Sequence, residues 1–105
     1  MLQYAHAPTT RHYPVEVSGW DSKQQFFVER CDLIWNEDTG KQVSLKQFLR
    51  DSAVLFVRLL QGGESDRSHP VAYETEFMGN TQNGLHQFRL NAVVPRLREE
   101  ESSVA

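Results

Sequence analysis

The side chains best suited to chemistry in this chain are its histidines, its single cysteine and its scattered acids. There are four histidines, at positions 6, 12, 69 and 86. None of them has a second histidine, a cysteine or an acidic residue at a spacing typical of a metal site. The sequence therefore predicts neither a metal site nor a cofactor.

Catalysis by a nucleophile would need a base held against it. The chain has no G-x-S-x-G motif, and its serines fall in segments typical of turns. Cys31 lies in an apolar run between Arg30 and Asp32, which favours a small buried side chain over an activated thiol. Glu74 and Glu76 share one face of a predicted strand, where alternating acids are usually solvated. We therefore predict that the protein is not an enzyme and has no catalytic residues.

Length and charge narrow the class of protein further. The chain has 105 residues, of which 39% are hydrophobic, enough for one domain with a modest core. A net charge of -3 argues against broad, charge-driven binding of nucleic acid, so we expect no DNA partner. The net charge is still compatible with a local basic patch, which would form if several arginines lie close together in space.

The compartment is expected to be the cytoplasm. A single cysteine excludes an intrachain disulfide, and this suits a reducing environment. No apolar stretch approaches the length of a membrane span. The start, MLQYAHAPTT, lacks the basic segment and apolar core of a secretory signal.

Alternating and apolar segments predict a mostly β chain with six strands. Val15 and Val17 alternate with polar residues, and the Asn83-Gly84 pair favours a tight hairpin because both residues tolerate positive φ. The apolar run over 52–61 fits a buried strand better than a helix by its length and flanks, although periodicity alone does not decide. The predicted strands are Tyr13–Gly19, Gln25–Trp35, Lys41–Ser44, Ser52–Gln61, Val71–Gly79 and Leu85–Val94.

Two segments add detail to this strand pattern. Gln25–Trp35 is apolar on both faces, which indicates a bend, a bulge or cover on both sides. Ser44 and Gln47 match a capping box and predict a helix of about two turns over Leu45–Asp51. Most aromatic residues fit a core, but Trp35, beside a predicted turn, is the one best suited to line a ligand groove.

These elements give the domain organisation and two possible architectures. We expect a flexible N-terminal arm over residues 1–12, a β domain over 13–95 and a charged C-terminal tail over 96–105. The 62–68 segment reads as a flexible connection. Six short strands and one short helix can bury their apolar faces in a small antiparallel barrel or in a tight sandwich.

The order of these signals resembles the PilZ domain family, small six-stranded barrels that act in bacterial signalling as receptors for cyclic di-GMP. The segment RHYPVEV, from Arg11 to Val17, is similar to the family's basic entry into its first strand. Pro70-Val71-Ala72-Tyr73, the Asn83-Gly84 turn and the run from Phe88 to Pro95 resemble its last two strands. The resemblance implies the barrel rather than the sandwich.

The family's ligand motifs are incomplete in this chain. In its R-x-x-x-R segment, Arg11 stands for the second arginine and the first falls on Ala7. In its [D/N]-x-S-x-x-G segment, Asp32 stands for the acidic residue, but Ile34 and Glu37 replace the serine and the glycine. These losses are expected to weaken binding by roughly 2–5 kcal/mol if both contacts are buried.

The resemblance implies ligand-binding residues Arg11, His12 and Asp32, with Arg11 on phosphate and Asp32 on a base or on the arm. The expected function is a non-catalytic binding module, a weak or degenerate receptor for cyclic di-GMP. The alternative is a protein-interaction or self-assembly domain that has lost nucleotide binding. In that case an exposed strand edge beside the 62–68 segment would pair with a partner or a second copy.

Overall fold

The computed structural model describes residues 9–60 and 69–93, and these form six β-strands. All six predicted strands are present, and the predicted helix is not found among the described residues. The strands are β1 Thr10–Trp20, β2 Phe26–Asn36, β3 Gly40–Leu45, β4 Val54–Leu59, β5 Val71–Asn80 and β6 His86–Ala92.

The strands close into an antiparallel barrel in the order β1-β2-β3-β6-β5-β4. This confirms the predicted six-stranded antiparallel barrel and excludes the sandwich. Each strand has a neighbour on both sides. The ladders differ in length, since β1 pairs with β4 only over Val15–Gly19 and β2 pairs with β3 only over Ile34–Asn36. Pairing of a partner or a second copy with an exposed edge beside the 62–68 segment stays a prediction, because that segment lies outside the described residues.

Strand alternation places the core inside the barrel. On β1, Val15 and Val17 are fully buried while Glu16 between them is only half-buried. Burial of such side chains contributes about 1.5–3 kcal/mol each. The buried hydrophobic residues are Val15, Val17, Leu33, Val43, Leu45, Leu49, Leu55, Val57, Phe88 and Leu90.

The prediction of a helix over Leu45–Asp51 is wrong because tertiary contacts override the capping signal. Leu45 ends β3, is fully buried and pairs with His86 of β6. The next backbone N–H, that of Lys46, donates to Glu29 Oε2 at 2.9 Å. Leu49 then turns inward and is 2% exposed. A bent, non-helical segment that buries Leu45 and Leu49 is favoured over a short helix, because helix propensity is only a weak preference.

Two hairpins of the barrel use the same three-residue turn. At the predicted Asn83-Gly84 hairpin, Thr81 N donates to Leu85 O at 2.8 Å and Gly84 N donates to Thr81 O at 3.1 Å. Positive φ is needed only at Gly84 (+85°), and not at both central positions. The turn before β2 has the same pattern with Gln24 at φ +66°. A non-glycine residue there costs about 1 kcal/mol.

β2 has apolar side chains on both of its faces, and neither a bulge nor burial of both faces explains this. Its register with β1 is continuous over eleven residue pairs. Phe26 and Val28 simply face solvent, at 58% and 54% exposure. The irregularity in the sheet lies instead between Phe77 and Gly79 of β5.

The two ends of the barrel differ. At one end, the turns over 21–25 and 81–85 and the segment 46–53 close the barrel, with Leu49 inserted into the core. Thr9, Leu60, His69 and Val93, which bound the described residues, lie at the other end. We call these the sealed end and the rim end.

Some predicted boundaries shift and others lie outside the described residues. β1 begins at Thr10, inside the predicted arm, because Thr10, Arg11 and His12 pair with residues 34–36 of β2. The rest of the arm, the 62–68 connection and the tail from position 96 lie outside the described residues. No helix able to span a membrane occurs in the part of the chain that the structure describes.

Candidate functional site

A cavity of about 430 Å³ lies at the rim end of the barrel, and we call it the mouth cavity. Its volume falls in the range of small-molecule sites, roughly 300–1,000 Å³. Aromatic, aliphatic and basic side chains line it, namely Arg11, Tyr13, Leu33, Trp35, Lys41, Val57, Leu59, His69, Val71 and Tyr73.

Strand register places a cation, an aromatic ring and a second cation in one row across the mouth cavity. Arg11 of β1 is the Cα partner of Trp35 of β2, and Trp35 is the Cα partner of Lys41 of β3. Residues paired in register point to the same side of a sheet. The Arg11 guanidinium carbon lies 5.8 Å from the Trp35 ring centroid, within cation–π range.

Lys41 also contacts Tyr73, which reaches it from β5. Lys41 Nζ donates a hydrogen bond to the Tyr73 hydroxyl oxygen at 3.2 Å, whereas the Tyr73 ring centroid is 5.0 Å away. The hydroxyl is therefore the primary contact of the ammonium group. Since this oxygen accepts from Lys41, the Tyr73 hydroxyl hydrogen is left to donate to another group.

Among residues 9–60 and 69–93, the side chains that line the mouth cavity carry positive charge and no negative charge. No aspartate or glutamate lines it among the described residues. On the outer surface, by contrast, Arg58 lies 2.9 Å from Glu16 and Arg89 lies 3.5 Å from Glu76. The described part of the chain offers Arg11 no such ion pair. Because the whole chain has a net charge of -3, this local excess of cations favours an anionic ligand.

The predicted site residues divide between two faces of the barrel wall. Arg11 lines the mouth cavity. His12 and Asp32 are exposed on the outer face, where they occupy diagonal positions of the β1–β2 ladder. The structure therefore brings His12 near Asp32 but places neither of them with Arg11, since successive strand residues point to opposite faces.

Trp35, predicted to line a groove, does line the mouth cavity, whereas Lys41 and Tyr73 were missed. A signal for both was present in the sequence. Lys41 has the same strand parity as the buried Val43 and Leu45, so it belongs to the inner face of β3. Tyr73 has the same parity as the buried Thr75 on β5. A lysine that faces the inside of a barrel close to a turn is expected at the end of the barrel, where its ammonium group can reach water.

The groups considered for catalysis are not arranged for it. Burial raises the pKa of the Cys31 thiol to about 12, and the charges of Glu29 and Asp32 add to this effect. The thiol is therefore protonated at neutral pH and is a poor nucleophile. Glu74 and Glu76 lie on the exposed outer face of β5, where Glu76 contacts Arg89 and Asn91.

Outside the cavity, one group of exposed apolar side chains lies near the sealed end. Trp20, Phe26 and Val28 form this outer aromatic patch, and each is about half exposed. The Trp20 and Phe26 rings meet edge to face with their centroids 5.3 Å apart.

Neither metal ligands nor relatives give further guidance. No group of three or more histidine, cysteine or acidic side chains could hold a metal ion within residues 9–60 and 69–93. In comparisons with known proteins, no family model, no curated protein and no solved structure matches the chain.

Proposed function

We propose that this domain is a non-catalytic, PilZ-like binding module for an anionic nucleotide, with cyclic di-GMP as the first ligand to test. One observation carries the proposal: Arg11 and Trp35 meet at a cavity of about 430 Å³ whose described lining contains no acid. An aromatic face suits a nucleobase, and a guanidinium suits a phosphate. A barrel alone would not support this function, because one fold serves many functions.

Arg11 is the residue expected to bind phosphate. Its planar guanidinium can donate two parallel hydrogen bonds to a phosphate, which a lysine cannot do in the same geometry. It is exposed at the rim and lies over Trp35 rather than beside an acid. Within residues 9–60 and 69–93, Arg11 has no ion pair that a ligand would have to break.

The affinity for cyclic di-GMP is expected to be weak. The chain has Ala7 where a first motif arginine would stand, and Ile34 and Glu37 where a serine and a glycine would stand. Asp32 lies on the outer face, away from the mouth cavity. Each missing charged hydrogen bond lowers binding free energy by roughly 1.5–3 kcal/mol.

Arg11→Ala tests the proposal directly. Isothermal titration with cyclic di-GMP should give saturable heat for the wild-type chain and a dissociation constant about 10- to 100-fold higher for the variant, because a charged hydrogen-bonding group is lost. Arg30→Ala is the matched control, since Arg30 is exposed on the outer face of β2. No heat from wild type at high micromolar ligand, or equal affinities of Arg11→Ala and wild type, would contradict the proposal.

The outer aromatic patch favours a second candidate function, self-association. Trp20, Phe26 and Val28 carry no charge, so a second copy can cover them with the same three side chains without opposing like charges. We expect sedimentation velocity to show an assembly whose fraction grows with concentration and is lost in Phe26→Ser. A wild-type chain that stays monomeric at every concentration would exclude this function.

A further inference from the structure

We propose that Lys41 and Tyr73 form a second ligand-binding pair, so that the mouth cavity takes a flat aromatic ring that carries a phosphate. The ring would lie against Trp35, and the phosphate would lie between Arg11 and Lys41. This inference rests on the proposed function and specifies the ligand class of the same site.

The spacing of the two cations supports this arrangement. Arg11 and Lys41 pair with Trp35 from its two sides, so their backbones are two strand spacings apart, about 9–10 Å. Both side chains are long and flexible enough to converge on one phosphate between them, at the edge of the Trp35 ring. Arg11 now covers Trp35, and a shift of its guanidinium to the phosphate would free the ring face for stacking.

Tyr73 positions the ammonium group of Lys41. It accepts one of the three hydrogen bonds that Nζ can donate, at 3.2 Å, and leaves two for a ligand. The Tyr73 hydroxyl can donate its own hydrogen to the same anion. No carboxylate lines the cavity among the described residues, so no acid of this wall competes for Lys41.

A lysine at a barrel rim can also serve only to keep its charge in water above an apolar interior. The two roles make different predictions. A solvated Lys41 would not distinguish a nucleotide from its nucleoside. A phosphate-binding Lys41 would contribute to binding of the nucleotide and leave binding of the nucleoside unchanged.

The test uses the full chain in a Trp20→Phe background, which leaves Trp35 as the only tryptophan. Tryptophan fluorescence is titrated with GMP, guanosine, inorganic phosphate and cyclic di-GMP. We expect GMP to quench Trp35 and Lys41→Met to raise its dissociation constant about tenfold or more, because one charged hydrogen bond is lost. Guanosine should bind both chains equally, and Lys41→Arg should retain most of the affinity. Lys46→Ala, an exposed lysine at the sealed end, is the control and should bind like the parent.

The outcomes separate the two proposals. GMP binding that is unchanged in Lys41→Met, or that leaves Trp35 fluorescence unchanged, would overturn this inference. Arg11-dependent binding of cyclic di-GMP would then leave the proposed function standing. If none of the four compounds binds, both proposals fall. Lys41→Ala gives a second variant in case the methionine itself packs into the cavity.

Discussion

Leu49→Ala is expected to lower the free energy of unfolding by about 3 kcal/mol, within the 2–5 kcal/mol range for buried leucine truncation. Leu49 is 2% exposed and packs in the core although it belongs to no strand. Leu49 closes the sealed end of the barrel from the segment 46–53, which is not helical. Removing its side chain would leave a cavity next to a segment that is tied to the 21–25 turn by the hydrogen bond from Ser22 N to Phe48 O at 2.7 Å.

Urea denaturation followed by circular dichroism measures this effect. Val28→Ala is the control, because its side chain is 54% exposed on the outer face and should cost less than about 1 kcal/mol. Equal losses in the two variants would show that Leu49 does not contribute to the core as described.

The second large effect is expected at Trp35. Trp35→Ala should raise the dissociation constant for nucleotide about 5- to 100-fold, because stacking on an aromatic side chain is worth roughly 1–3 kcal/mol per base. Trp35→Phe should keep much of the affinity, since it retains a ring face. Calorimetric titration of each variant, after its fold is checked by circular dichroism, measures the change.

The other tryptophan provides a matched control. Trp20 is on the outer face near the sealed end, outside the mouth cavity, and Trp20→Ala should bind nucleotide like the wild-type chain. If Trp20→Ala and Trp35→Ala lost affinity equally, the ligand would not bind at the mouth cavity.

Strand positions could be predicted from the sequence because the alternation of apolar and polar residues shows which face of each strand is buried. Val15 and Val17 on β1 illustrate this, as does the Gly84 turn before β6. Barrel closure could not be derived from alternation, since a sandwich produces the same pattern. The helix over 45–51 was wrong because a capping box is a local signal, whereas the burial of Leu49 depends on distant strands.

The candidate site was predictable only in part. Arg11 and Trp35 were both singled out from the sequence, but their contact depends on the register between β1 and β2. Lys41 and Tyr73 meet across strands that are not neighbours in the barrel, and no short motif encodes such a pair. Strand parity would have separated Arg11 from His12, since adjacent residues face opposite sides.

The difference between the two barrel ends separates stability from recognition. The side chains that line the mouth cavity come from β1 to β5 and from the residues just before β5, near one end of the barrel. Substitutions of lining residues such as Trp35 and Lys41 can alter ligand preference, while Leu49 and the core residues near the sealed end keep the fold intact. The domain can therefore change the ligand that it binds at one end of the barrel without losing the packing that stabilises the other end.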